Sequence, residues 1–572
     1  MGNTLDGQSA HVDVVIIGGG PTGLGAAYRL NQYGFENWLL LDAEKHPGGL
    51  AGSVKTAEGF RFDHGYKALT SRYEYFDKVL SSVYNEETGR SLLTIPRNNY
   101  VYIRGNLVKY PVQNNLGGLP IAEKHSCVLD LVKAKLEEKD ADDKPAPSNL
   151  DEYLVQTWGE ALCNIFFRPY IFKAWAYPTG KLRSDWVDQK IPPADLGADF
   201  DSLMKGQQRD PGWGIDASSA YPSKGGMIGL WRQLAKSLPT GNVRFKHEIS
   251  QLDIDEKKLV TKSGLEITYK QLISSMPLTS LLDLANRSDL TECMVHSSLF
   301  VVCLGLRGTC PLPDVTGCIF YPESDTIFHR VCVFSTHDPD SIPASDIYLS
   351  TIRLVKPDSE ELSNEEKPGP YWSLMMEISG GPLKSVNEST IADDAIRDAC
   401  AVGLLKDDDE VVSIHLTEMT HGYPLPTINS VEKVDEALRW LKSKDIWSRG
   451  RFGAFRYEVG DLDHCFIQGV EAVDNMLKGI PEDCVFQTNV ANNQSKLSIP
   501  AFDVNILDDV SQLNVAALTE SFRSESLTES LVSDDATDPV LPSDSEQSIA
   551  AGSIRSAITA EPNPVSDSDS SP

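Results

Sequence analysis

Hydrophobic and polar positions divide the first fifty residues into distinct pieces. VDVVII (residues 12–17) is nearly unbroken apolar chain, GGG interrupts it, and PTGLGAAYRL then sets apolar residues at helical spacing. That order predicts a buried strand, a tight turn and an Ala-rich helix. A second apolar run, NWLLLDAEKHPGG, predicts another strand ending in Asp42. Further on, FKHEISQLDIDEKKLVTKSGLEITYKQLISSMPL alternates strand-like segments with turn residues and closes on an apolar strand. Strands interleaved with helices predict an α/β fold with a Rossmann-type domain.

The pattern also suggests an organisation. Residues 1–11 are expected to form a flexible N-terminus, 12–115 the first part of a discontinuous nucleotide-binding domain, and 116–195 a mainly helical insertion. Within the insertion LEEKDADDKPAPSNLDE reads as a surface loop between helical stretches. Residues 196–495 would supply the remaining nucleotide-binding segments and a mixed substrate sheet. Residues 501–572 hold fourteen Asp or Glu against two Arg, with many Ser. Such a segment cannot bury enough apolar surface to offset its ordering entropy. Residues 496–572 are therefore expected to be a disordered acidic tail, either solubilising or partner-binding.

Composition narrows the function classes. A net charge of -30 argues against nucleic acid or an anionic membrane as partner, since both need a basic surface. No apolar run reaches the roughly eighteen residues that a membrane-spanning helix needs. The N-terminus lacks the regions of a secretory signal, and Asp6 stands where myristoylation of Gly2 would want Ser or Thr. A cytoplasmic protein is expected. Ten cysteines show no CxxC pair or metal-ligand spacing, which predicts reduced, mostly buried thiols and no metal site.

Candidate chemistry begins in the first turn. Gly18, Gly20 and Gly23 fill GxGxxG. Glycine is needed there because the backbone turns sharply and approaches a pyrophosphate, while the following helix presents free N–H groups to the anion. Asp42 follows Gly23 by nineteen residues, where a carboxylate can accept from ribose hydroxyls. The motif alone is weak; between a strand and a helix it points to a dinucleotide. HPGGLAGS then brings a second glycine pair, with Gly49 and Leu50 in it. Flavoproteins of the amine-oxidase type carry a similar pair, which implies FAD, and the meander would place Ile249 beside the adenine.

From Val12 to Lys478 the chain resembles the eukaryotic-type UDP-galactopyranose mutases, which are amine-oxidase-like flavoproteins. The blocks that carry the resemblance are GGGPTGLGAA, PGGLA, KYPVQNN, FRPYIFKAWAYPTGKL, HGYPLPT and DIWSRGRFGAFRYEVGDLDHCFIQGVEAVDN. It implies that reduced FAD is the nucleophile at the anomeric carbon of a UDP-sugar, with UDP departing and no net redox change. NADPH reduces the flavin in eukaryotic members, and Arg97 matches an arginine used for its phosphate. Arg330 and Arg451 match two arginines that clamp the diphosphate, joined by Tyr423 and Tyr457. Tyr110 and Gln113 match the uracil end, and Trp175 a pocket tryptophan. Gly460, Asp461 and Cys465 fall in the stretch that lines the flavin. Long helical insertions mediate self-association in this family, so a homo-oligomer is one expected form.

The chain departs from the family pattern at several positions. The loop over the flavin reads FDHGYKALTS: Gly65 remains, but Tyr66 and Lys67 replace Gly and His. Lys67 would bring a positive charge near the flavin, which could stabilise its reduced, anionic form. Ile171 replaces Asn, Lys190 an Arg expected at a phosphate, Phe320 a Tyr, Thr70 an aromatic and Asp461 an Asn. Three readings stay open: a mutase acting on a nucleotide sugar, an FAD-dependent oxidoreductase with a different small-molecule substrate, and a cofactor-binding protein without catalysis.

Overall fold

Ser9–Ile17 forms an inner strand of a seven-stranded sheet. It begins before Val12 because Ser9, Ala10 and His11 pair in parallel with Glu266, Ile267 and Thr268. Residues 9–11 are thus strand rather than flexible chain. The sheet order is Ile249–Asp253, Lys258–Thr261, Glu266–Ser274, Ser9–Ile17, Trp38–Leu41 and Val243–Arg244. Ile446–Ser448 joins in parallel beside the last residues of Glu266–Ser274. Parallel neighbours buried on both faces explain why residues 14–17 and 38–41 are apolar throughout rather than alternating.

Helix Pro21–Gln32 follows the first strand and lies against helix Leu462–Lys478. The two backbones approach so closely that a Cβ at Gly25 would collide with the Phe466 carbonyl, and one at Gly469 with the Thr22 carbonyl. The end of the chain that the structure describes therefore fixes the start of the nucleotide-binding unit.

A second sheet has eight strands, mostly antiparallel. Its order is Arg353–Leu354, Glu410–Pro424, His296–Arg307, Tyr371–Gly380, Arg330–Val333, Cys318–Phe320, Tyr100–Ile103 and Asn106–Lys109. The last two strands precede residue 115 in sequence yet belong to this sheet. Helices Ile121–Glu138, Leu150–Trp158 and Arg168–Trp175 build the insertion and pack over the end of the sheet that these strands form.

This computed structural model describes residues 9–138, 146–206, 208, 218–354, 365–492 and 497. Residues 1–8, residues 139–145 of the charged loop near 136–152, and all of the acidic segment except Leu497 lie outside the described residues. Every described residue belongs to one compact unit within residues 1–527. No described helix is long and apolar enough to cross a membrane.

Candidate flavin and substrate site

One end of the site is built from backbone. Gly18 has φ +101°, and a Cβ on Gly23 would collide with the Gly18 carbonyl, so the first and third glycines are required where they stand. Helix Pro21–Gln32 starts at Gly20 with no side-chain cap and with Pro at its first position. Its first N–H groups therefore face outward for an anion. The Gly48 N–H donates to the Gly19 carbonyl at 2.9 Å, which holds the PGGLA loop on this turn and sets Gly49 beside Gly20. Leu50 sits in a one-turn helix, Gly49–Ala51, and is 38% exposed.

Asp42 is buried at the end of its strand. Its carboxylate accepts the Gly19 N–H at 2.5 Å and the Glu44 N–H at 2.6 Å. Burial pushes its pKa up, and these two donors counteract the shift. The carboxylate thus braces the glycine turn, and its remaining lone pairs are what a ribose would use. Ile249 begins the strand reached from Asp42 through His247, whose N–H donates to the Asp42 carbonyl.

The other end is built from charged side chains on the second sheet. Arg330 lies opposite Glu377 in antiparallel register, and its Nη2 is 2.5 Å from Glu377 Oε2. Glu377 Oε1 accepts the Tyr66 N–H at 2.7 Å, and Gly65 passes directly over it. Burial alone would raise the Glu377 pKa, but the Arg330 guanidinium and the His329 ring hold it far below the usual carboxylate range. Among the described residues, Arg330 Nε has no hydrogen-bond partner. Lys67 Nζ donates to the His64 carbonyl at 2.5 Å. Desolvation pulls its pKa down to about 8, with Glu377 opposing and Arg451 assisting.

Arg451 opens a π-helical turn, Arg451–Phe455, after Gly450 at φ +97°. Its Nη1 donates to the Gly460 carbonyl at 3.0 Å, and its guanidinium lies 5.0 Å from the Tyr423 ring centre. Tyr423 is within electrostatic reach of Arg330, Glu377 and Arg451 together. Tyr457 packs edge-on against Trp175 at 4.6 Å and Trp186 at 5.0 Å. Cys465 is buried with its thiol toward the Gly460 carbonyl, and burial pushes its pKa up to about 12. Arg330, Arg451, Lys67, Tyr423, Tyr457, Trp175, Gly460 and Cys465 therefore cluster in one region.

Lys190 and Asp461 are brought together as a pair, Nζ to Oδ2 at 2.6 Å. Asp461 also faces Arg72 at 3.4 Å. Two departures from the family pattern thus stand against each other. Tyr110 stacks edge-on with Phe320 at 5.0 Å, in the apolar cluster that also holds Ile171. Gln113 is fully buried and donates from Nε2 to the Pro192 carbonyl at 2.8 Å. Its Oε1 has no partner among the described residues.

The family of flavin-containing amine oxidoreductases matches residues 21–464. The chain belongs to that family. Membership implies FAD as the cofactor, and the uncapped helix start and crowded glycines fit its pyrophosphate. A crystal structure of reduced UDP-galactopyranose mutase superimposes with a TM-score of 0.76 and 32% identity, over 85% of this chain and 98% of that one. A putative protoporphyrinogen oxidase from Exiguobacterium sp. 255-15 shares the fold, with a TM-score of 0.59 and 16% identity over 82% of this chain and 99% of that one. A probable flavin-containing monoamine oxidase A of Dictyostelium discoideum is 33% identical over 117 residues, 20% of this chain. The match spans only 25% of that curated relative's length.

Within this flavoprotein family fold, sequence reasoning missed Glu377. The only local signal was an acid in YWSLMMEISGG, a strand whose other residues from Tyr371 to Gly380 carry no charge and are all buried. An unpaired carboxylate cannot be kept there cheaply, so a cationic partner should have been sought.

Proposed function

We propose that the chain is an FAD-dependent, UDP-galactopyranose mutase-like enzyme that interconverts ring forms of a UDP-sugar. The observation carrying this reading is the convergence of Arg330 and Arg451 on Tyr423, beside the Gly65–Lys67 loop. Two guanidinium forks with adjacent phenols suit a diphosphate that must be held and released as an anion. The 32% identity to a mutase across 98% of its length supports the same reading.

Reduced FAD, when bound, would supply the electron pair that attacks the anomeric carbon. This chain's residues would do the rest. Arg330 and Arg451 would neutralise charge on the departing diphosphate, and Tyr423 and Tyr457 would donate hydrogen bonds to it. Glu377 fixes the Arg330 fork and the Tyr66 backbone, so a preset donor array costs little reorganisation. Lys67 would place a cation beside the flavin and favour its reduced, anionic form. Tyr110 and Gln113, with its unsatisfied Oε1, would take the base, and Trp175 the nucleotide sugar. Lys190 would meet a phosphate only by giving up Asp461. Arg97 would serve NADPH as reductant.

A second reading is an FAD-dependent oxidoreductase with another small substrate. Buried Ile171 and partly buried Phe320 favour it, since they make the wall beside Tyr110 apolar. Titrating the flavin-loaded protein with UDP separates the two. On the mutase reading UDP binds, and Arg330→Ala with Arg451→Ala weakens it at least tenfold. Unchanged UDP affinity in that variant would refute the diphosphate assignment.

A further inference from the structure

The register of the second sheet lines up a row of sulfur side chains. Cys303 lies opposite Met375, Met375 opposite Cys332, and Cys332 opposite Cys318. The next row on the same face holds Val301, Glu377, Arg330 and Phe320, because side chains two residues apart share a face. The sulfur row therefore points the same way as the candidate site, one rung from Arg330. All four side chains are at most 2% exposed and belong to the core cluster against which Tyr66 packs.

Among the cysteines of this row, Cys318 and Cys332 alone are direct cross-strand neighbours. Facing residues of an antiparallel pair have Cα atoms about 4.5–5.5 Å apart. That falls within the range of about 4.4–6.8 Å found across disulfides. Cys303 is separated from Cys332 by the whole strand Tyr371–Gly380 and cannot take either place. The two thiols are free in this structure and interact with each other and with Tyr66.

We propose that Cys318 and Cys332 form a second redox centre, a cross-strand dithiol that exchanges two electrons with the bound FAD. The step balances. Two thiols lose two electrons and two protons as the S–S bond forms; oxidised FAD takes up both electrons and one proton to give the reduced, anionic form, and the second proton is released to solvent. Solvent-borne oxidants and reductants are shut out by burial, whereas the pair shares a face with the candidate site. In the reducing direction the dithiol primes the flavin; in the other, reduced flavin reopens the disulfide. Cross-strand bridges are strained and tend toward reducible potentials, so neither form is locked. The inference requires bound FAD but no particular substrate.

Anaerobic reductive titration of the air-oxidised holoenzyme tests it, with dithionite as the probe and flavin absorbance as the readout. The expected uptake is two equivalents of dithionite per FAD, four electrons in all. Cys318→Ser and Cys332→Ser should each take only one equivalent. Alkylation and peptide mass analysis of the wild-type protein should show residues 318 and 332 joined before titration and free after it. One equivalent per FAD in the wild type would overturn the proposal even if both variants fail to fold. So would a second equivalent that persists in both variants, or a bridge that stays closed when the flavin is fully reduced.

Discussion

The two ends of the site are made of different material. The nucleotide end uses backbone: glycines without room for a Cβ, an uncapped helix start, and a carboxylate tied to two N–H groups. The sheet end uses charge: Arg330 on Glu377, Arg451 beside Tyr423, and Lys67 within electrostatic reach of Glu377 and both arginines. The first is set by residues close together in sequence. The second exists only once strands far apart in sequence have paired in the correct register. The first kind of site tolerates little change and would fix no substrate; the second would decide what is bound.

The sharpest way to break the first half is Gly23→Val. Its side chain would run into the Gly18 carbonyl at a turn that cannot move away. The expected outcome is purified protein without flavin, or insoluble protein, judged from the ratio of flavin to protein absorbance. A soluble variant with full flavin content would contradict the required close approach.

Arg330→Ala attacks the second half by stranding Glu377 in the core. Removing one partner of a buried pair costs about 3–5 kcal/mol. Arg330→Ala combined with Glu377→Gln should recover a large part of that loss in denaturant melts, because the unpaired charge is gone. Equal destabilisation of the single and double variants would show that the pair is not coupled.

A smaller effect should appear as a pH dependence from Lys67. Its folded pKa, about 8, lies below the usual 10.5. The unfolded chain therefore holds more protons between these values, and stability should rise with pH through that window. Lys67→Met removes the cost of burying the cation. The variant should gain stability over the wild type below about pH 8, with the gain vanishing near pH 10.5. Denaturation curves at about pH 7 and about pH 10 would show this, and a gain that grows with pH would refute it.

The smallest expected effect is at Lys190 and Asp461. The pair is partly exposed and Asp461 keeps Arg72 as a second partner, so Lys190→Gln should change stability by less than about 1 kcal/mol. A loss several times larger would mean that the pair holds structure rather than standing ready to open.

Legibility followed the same division. GxGxxG, its flanking strand and helix, and the second glycine pair were readable because each is a local backbone demand. The start of the first strand was not: Ser9–His11 are polar or small, and only pairing with Glu266–Thr268 makes them strand. Gly25 and Gly469 answer no local backbone demand; only the meeting of two helices leaves them no room for a Cβ. The cysteines were read as buried thiols, but the facing of Cys318 and Cys332 is a fact of register. Arg330 could be named from its surrounding motif, whereas its partner Glu377 could not, since nothing in sequence ties residue 330 to residue 377.

The proposed site holds and releases the diphosphate of a UDP-sugar beside reduced flavin. It is tested most directly by incubating the anaerobic, dithionite-reduced holoenzyme with UDP-galactofuranose and following the pyranose form. Conversion that requires reduced flavin and disappears in Arg330→Ala with Arg451→Ala is the expected result. No conversion by fully reduced, flavin-loaded wild-type enzyme would contradict the mutase reading and move the function to oxidation of a different substrate.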